Sequence, residues 1–261
     1  MTKRNFKNTP SLLSFIEYNS GKKNATVAIV QNFVKHQDNG WNYTKDNILK
    51  YLEKAYAQRE EIKKISLPPK NLLKLEISDV PPLLKEIMNP FFEEVKILGK
   101  RTAELHNTLS IKIKKQKEFQ PEPVSKLYLR ALYQSIRTLT ITTFNNIKKS
   151  KNIPEEIKED LDEILESQNS ILNYSKKILS STLNGKRIRC HNDYHLGQVL
   201  FTGNDFIIID FEGEPARPIG ERIIKRIPHT YIAGMIRSLH YSAYSILFSK
   251  NQSFYTVERR N

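Results

Sequence analysis

One stretch constrains the fold more than any other: residues 190–215, CHNDYHLGQVLFTGNDFIIIDFEGEP. Val199-Leu200-Phe201 and Phe206-Ile207-Ile208-Ile209 are β-branched or aromatic runs, and Thr202-Gly203-Asn204-Asp205 between them carries the turn chemistry of a hairpin loop. A hairpin here places Asp193 ahead of one strand and Asp210 at the end of the other. Both carboxylates then emerge at the same end of the ribbon, with the amide of Gln198 just before the first strand.

Two carboxylates and an amide at one end of a ribbon suit phosphoryl transfer from a nucleotide. One carboxylate orients and deprotonates the attacking hydroxyl; the other, with an amide oxygen, holds the magnesium ions that bridge the phosphates. The protein-kinase pattern is H-R-D-x-x-x-x-N followed by D-F-G. Here Gln198 takes the asparagine position after Asp193, and Asp210-Phe211-Glu212-Gly213 stands in the place of D-F-G. Gln keeps the carbonyl ligand on an arm one methylene longer, and a hard, oxygen-seeking Mg²⁺ can use either. Asp193 is thus the catalytic candidate, Gln198 and Asp210 are metal-ligand candidates, and ATP and Mg²⁺ are the expected cofactors. A surface hairpin with incidental acids is the alternative, disfavoured by three groups at kinase-like spacing.

The segments HNDYHLGQVL, IIIDFEGEPARPIGER and AGMIRSLHYSAY resemble the maltokinase family. TPSLLSFIEY, AIVQNFV, GWNYT and LGKRTAELH extend the resemblance over residues 9–245. The family usually has Gly between the His and Asp of its first motif; Asn192 stands there in this chain. The resemblance implies an α+β, protein-kinase-like fold: a residual N-lobe β-hairpin and hinge over 1–34, then a mostly helical C-lobe over 35–261, truncated at its end. It implies ATP-dependent phosphorylation of maltose, or a similar sugar, at the anomeric hydroxyl, and association or fusion with trehalose synthase. By the same resemblance Gln31, Phe33 and Val34 form the adenine-binding hinge, Glu212 lies near a second metal, and His191 supports the catalytic loop. His195 faces the acceptor, and so does the 216–226 loop with Arg217, Glu221, Arg222 and Lys225.

Full-length members carry an N-terminal β-lobe whose lysine grips the α- and β-phosphates. The nine glycines here never form G-x-G-x-x-G. The resemblance therefore implies that about the first third of a full-length enzyme, and the helices beyond residue 248, lie outside this chain; the 250–261 tail is polar and unlike the family. Two other readings stay open. An aminoglycoside- or choline-type acceptor needs several acids around it, which the basic 216–226 loop lacks. A non-catalytic nucleotide- or partner-binding remnant is favoured by the missing lobe and disfavoured by intact Asp193, Gln198 and Asp210.

The net charge of +14 raises nucleic-acid binding, but the lysines are scattered over helix faces, which favours solvated helices around an anionic nucleotide. Cys190 is the only cysteine, so an internal disulfide is excluded, and its place beside His191 reads as structural, not nucleophilic. No apolar run is long enough for a membrane span or signal peptide, so a cytoplasmic location is expected. Helices are expected over 45–62 (capped by Thr44), 88–116 (broken near Asn89-Pro90), 124–149, 155–183 and 230–248. The 11–34 and 199–211 hairpins are expected to be the only substantial β-structure. Residues 1–8 read as frayed and 66–82 as a proline-rich loop. Trp41, the single tryptophan, reads as a buried helix anchor in preference to a ligand-stacking ring, and His106 as structural.

Overall fold

The computed structural model describes residues 4–21, 24–66, 74–114, 116–151 and 153–248. In chain order the strands are β1 (Leu12–Asn19), β2 (Asn24–Gln31), β3 (Asp38–Asn39), β4 (Glu122–Pro123), β5 (Lys186–Arg187), β6 (Val199–Phe201) and β7 (Phe206–Ile208). The helices are α1 (Gly40–Ala57), α2 (Arg59–Ile62), α3 (Pro82–Met88), α4 (Phe91–Ser110), α5 (Lys126–Lys149), α6 (Lys158–Glu166), α7 (Gln168–Ser180), α8 (Ile219–Arg222) and α9 (His229–Leu247). The chain divides into two compact units, 1–120 with 188–261 and 121–187.

In the first unit β6 and β7 pair antiparallel, with Val199 opposite Ile208 and Phe201 opposite Phe206. Side chains alternate between the faces of a strand, so these four residues share one face, and all four are buried. Against them pack Leu98, Leu105 and Leu109 of α4 and Tyr231 and Met235 of α9. The α4 residues, with Thr102, recur at three- and four-residue spacing and so form one apolar stripe along the helix.

Residues 4–9 are anchored, contrary to the reading of 1–8 as frayed; residues 1–3 lie outside the described residues. Phe6, Asn8 and Thr9 are buried, and Arg4 donates to Gln116 Oε1 and to the carbonyls of Thr108 and Ile111. Asn8 accepts from Ile208 N at 2.8 Å and donates its amide to Phe206 O at 3.0 Å. On the ribbon's other edge β3 pairs with β6, and Gln37 N donates to Phe201 O. The feet of the β1–β2 hairpin thus lie along opposite edges of the ribbon that carries the two acidic centres. The hairpin itself pairs in register from Leu12–Gln31 to Asn19–Asn24, and every residue of both strands is exposed.

α1 starts earlier than expected. Its N-cap is Asn39, whose side chain accepts from Asn42 N at 2.9 Å, while Thr44 is buried inside the helix. The reason is non-local: a Cβ on Gly40 would lie 2.8 Å from Leu196 O, so glycine alone lets the helix start against the turn before β6. The break at Asn89-Pro90 separates α3 from α4, which ends at Ser110. Of the 66–82 segment, residues 67–73 lie outside the described residues; Ile77–Asp79 is a 3₁₀ turn and Pro82 opens α3. The 250–261 tail also lies outside them.

The second unit is built on α5 against α7. Ser125 caps α5 by accepting from Tyr128 N. The helix expected over 155–183 is broken at Ser167, whose hydroxyl donates to Ile164 O at 2.6 Å. β4 pairs with β5, a short ladder beyond the two expected hairpins. No described helix is long and apolar enough to cross a membrane.

Candidate active site

The loop between β5 and β6 is held from below by buried polar contacts. His191 is buried and packs against Phe211 and Tyr194, and its Nε2 donates to Ile209 O at 2.7 Å. Burial lowers its pKa and keeps the ring neutral, outweighing the opposing pull of that hydrogen bond and of Asp210 and Asp193. His191 therefore ties the loop to the residue before Asp210, the supporting role expected of it. Tyr194 is buried and shares a hydrogen bond with Thr102 of α4 at 2.8 Å; burial pushes its phenol up to about 12. Cys190 is buried, its thiol pushed up to about 11 chiefly by burial, so it is an inert packing group.

Asn192 has φ of +67°, the left-handed region where Gly and Asn are tolerated best. Its N–H donates to Tyr231 Oη at 2.8 Å, the Tyr231 hydroxyl donates back to Asn192 Oδ1 at 3.1 Å, and Asn192 Nδ2 donates to Arg222 O at 2.5 Å. This left-handed turn projects Asp193 outward as a half-buried carboxylate.

Four of the expected residues form one connected chain. His195 Nε2 lies 3.8 Å from Asp193 Oδ2. His195 Nδ1 accepts from Gly197 N at 3.0 Å, which puts the ring proton of a neutral imidazole on Nε2. Gln198 N donates to His195 O, and Gln198 O accepts from Ile209 N, both at 3.0 Å. Gln198 Nε2 then donates to Asp210 Oδ2 at 2.9 Å. Glu212 is exposed and makes no hydrogen bond among the described residues.

The basic loop after Glu212 is tied into this assembly. Gly213, at φ +82°, leaves room that a Cβ would lose, 3.0 Å from Arg222 Cβ. Arg217 pairs with Glu214, and Arg222 donates to Arg217 O and Pro215 O, each at 2.9 Å. These two arginines, expected as acceptor contacts, are thus engaged within the loop. Glu221 is exposed and Lys225 half-buried. In the hinge candidates, Gln31 ends β2 opposite Leu12, Val34 O accepts from His36 Nδ1 at 2.8 Å, and Phe33 is 87% exposed.

Among the described residues no group of three or more His, Cys, Asp or Glu could hold a metal. Gln198 and Asp210 still fit Mg²⁺ in kind. That ion is commonly held by one or two carboxylates plus substrate phosphates, without an all-protein cage.

No family model matches the sequence. Among solved structures the chain is similar to a glucosamine kinase in complex with glucosamine, ADP and inorganic phosphate. The TM-score is 0.66 at 17% identity, over 96% of this chain and 51% of that one. Two further glucosamine kinase structures, crystal forms B and A, match with a TM-score of 0.63 at 18% and 17% identity, covering 49% and 47% of those chains. The fold is α+β and kinase-like. The chain spans about half the length of these neighbours.

Proposed function

We propose that the chain is the acceptor- and metal-binding part of an ATP-dependent kinase that phosphorylates a sugar hydroxyl. Maltose at its anomeric hydroxyl is the substrate implied by the sequence resemblance. The observation that carries this reading is the connected chain from Asp193 through His195 and Gln198 to Asp210. It brings a proton acceptor and a hard-oxygen pair to one end of one ribbon, as transfer to a hydroxyl requires. The glucosamine kinase neighbours, one of them holding a sugar, ADP and phosphate, support the same class of reaction.

In this reading Asp193 orients the acceptor hydroxyl and takes its proton as the oxygen attacks the γ-phosphorus and ADP departs. His195 offers its Nε2–H beside that carboxylate. Gln198 and Asp210 would hold Mg²⁺, with Glu212 the candidate for a second ion, and the metal would offset charge on the phosphate oxygens. By the same resemblance, the main-chain groups of 31–34 would receive the adenine edge.

The fully exposed β1–β2 hairpin, rich in Phe15, Ile16, Val27 and Ile29, is an unfinished sheet by its own burial. We infer that further β-structure, in the same or another polypeptide, completes it and supplies the phosphate-gripping lysine. Association with trehalose synthase belongs to the same proposal.

The test is maltose-dependent ATP consumption, with maltose 1-phosphate identified by ³¹P NMR, for the chain joined to an N-terminal β-lobe of this fold. Product is expected there and almost none from residues 1–261 alone. Nucleotide binding with no transfer to any sugar in the joined protein would favour the remnant reading.

A further inference from the structure

Residues 214–224, which carry most of the basic loop, are thinly attached to the rest of the fold. Glu214, Arg217 and Arg222 are half-buried and the others are exposed, Ile219 and Ile223 among them. The segment is tied to itself instead. Arg217 N donates to Glu214 O at 3.0 Å, Glu221 N to Pro218 O at 2.8 Å and Ile224 N to Glu221 O at 3.2 Å. The Arg222 guanidinium closes the knot on Arg217 O and Pro215 O. Its flanks are fixed: Gly213 is buried, and Arg226 exchanges two main-chain hydrogen bonds with Ile188, each at 3.0 Å. Between those points, among the described residues, one hydrogen bond leaves the segment: Asn192 Nδ2 donates to Arg222 O at 2.5 Å. A stretch with exposed main chain and few buried apolar contacts opens locally at low cost, so a single tie decides where it rests.

The surroundings of Asn192 fix which way its amide points. Tyr231 Oη accepts from Asn192 N at 2.8 Å, so the phenol's own proton goes to Asn192 Oδ1 at 3.1 Å. Burial first, and then Cys190, push the Tyr231 phenol up and keep that proton in place. Nδ2 is left facing two carbonyls, Arg222 O and, at 3.4 Å, Cys190 O, and as the donor group it suits both. The buried ring on α9 thus sets the amide, and the amide sets the loop. Glycine, which the resembled family usually has at this place, enters the same left-handed turn but has no group to reach Arg222 O.

We propose that Asn192 is a positioning residue, a latch that fixes the 214–224 segment against the turn carrying Asp193. Asp193 is the next residue in the chain. One side chain therefore keeps the segment expected to face the acceptor, and the carboxylate expected to take the acceptor's proton, in a set relation before any substrate arrives. The link to catalysis rests on the sugar-kinase reading; the latch itself does not.

The test compares the wild-type chain with Asn192→Asp and Asn192→Gly. Aspartate keeps the size of the side chain, tolerates the left-handed turn and still accepts from Tyr231, but puts an oxygen where Nδ2 donated. Amide hydrogen exchange is followed by mass spectrometry, and trypsin cleavage after Arg222 by time course. Both variants should speed exchange in peptides covering 214–224, and cleavage after Arg222, by about three- to tenfold, as the loss of one hydrogen bond predicts. Peptides from α4 and from the β6–β7 ribbon should exchange as in the wild type. An unchanged segment in both variants would overturn the latch. Loosening in only one of them would assign the effect to the turn or to the new charge, and loosening spread equally over α4 and the ribbon would make Asn192 a structural residue only; either result overturns the latch as well.

These readouts need neither nucleotide nor turnover. In the lobe-joined protein the same two variants should raise the KM for maltose by about three- to tenfold while that for ATP stays within about twofold. A segment loosened as expected in a protein that transfers phosphate to no sugar would sink the kinase reading and leave the latch. Transfer with a maltose KM indifferent to both substitutions would overturn the positioning role and leave the kinase reading.

Discussion

Gln198 donates its side-chain amide to Asp210 Oδ2 at 2.9 Å, joining the turn before β6 to the residue that follows the β7 strand by two. The side-chain oxygen Gln198 Oε1 and Asp210 Oδ1 are left for a cation. Asp210→Asn removes the charged ligand and should weaken Mg·ATP binding as well as turnover in the lobe-joined protein. Asp193→Asn keeps shape and hydrogen-bonding reach but loses the basic oxygen. Its turnover should fall by about 10²–10⁴-fold with nucleotide affinity little changed. Isothermal titration beside steady-state assays separates the two; identical behaviour of both variants would show that the roles are misassigned.

Asn192 departs from the resembled family, which usually has glycine there. Its φ of +67° explains why the two residues exchange: both enter the left-handed region at low cost. Asn192→Gly should stay within about 1 kcal/mol of the wild type in urea unfolding, since lost bonds to Arg222 O and Tyr231 are offset by relief at Cβ. Asn192→Val should cost more than about 2 kcal/mol, because a β-branched residue is strained at that φ and leaves the Tyr231 hydroxyl short of a partner. Equal stability of the two variants would contradict the turn.

The ribbon and the α4 stripe were legible in the sequence because their signals are local. Val199 to Ile208 alternates around a four-residue turn, and Leu98, Thr102, Leu105 and Leu109 recur at helical spacing. What stayed hidden depends on pairs far apart in the chain. Thr44 and Asn39 both have N-cap chemistry, and only the approach of Gly40 to Leu196 O decides between them. The anchoring of Asn8 needs Phe206 and Ile208; the support of Asn192 needs Tyr231. Trp41 packs against the core as a helix anchor does, and only α9 brings the Tyr241 ring to 5.9 Å from its own, between centroids.

Stability should depend on pH through two imidazoles, the half-buried His106 and the buried His191. His106, against Tyr231, is pushed down to about 4 by burial first and by His229 second, and burial lowers His191 too. Both folded values lie below the unfolded value of about 6.5. Their contribution is therefore full above about pH 6.5 and is lost as pH falls, for His106 towards about 4. The melting temperature should drop between about pH 7 and pH 5, and His106→Gln should make that drop shallower. A pH profile unchanged by the substitution would mean that His106 takes up its proton without cost to the fold.

Arg101 of α4 grips the turn of the ribbon. Its Nε and Nη2 donate to the two oxygens of Asp205, each at 2.8 Å, while Nη1 donates to Glu104. Asn8 and the Phe206 N–H also donate to Asp205. Burial alone would raise the pKa of this carboxyl, but Arg101, the Phe206 N–H and Asn8 outweigh it and hold it below the usual range. The pair is partly buried, bidentate and networked, so it should be worth more than an isolated surface ion pair. Arg101→Met is expected to cost about 1.5–3 kcal/mol, the range for hydrogen bonds to charged groups. Asp205→Asn should cost a comparable amount, and the double variant less than the sum, because both remove the same contact. The clamp fixes the far end of the ribbon whose near end carries Gln198 and Asp210, so Arg101→Met should also loosen Mg·ATP binding in the lobe-joined protein. A double-mutant cycle with no coupling would reduce the pair to a solvated surface contact, and unaltered nucleotide affinity would show that the ribbon is held by its apolar face alone.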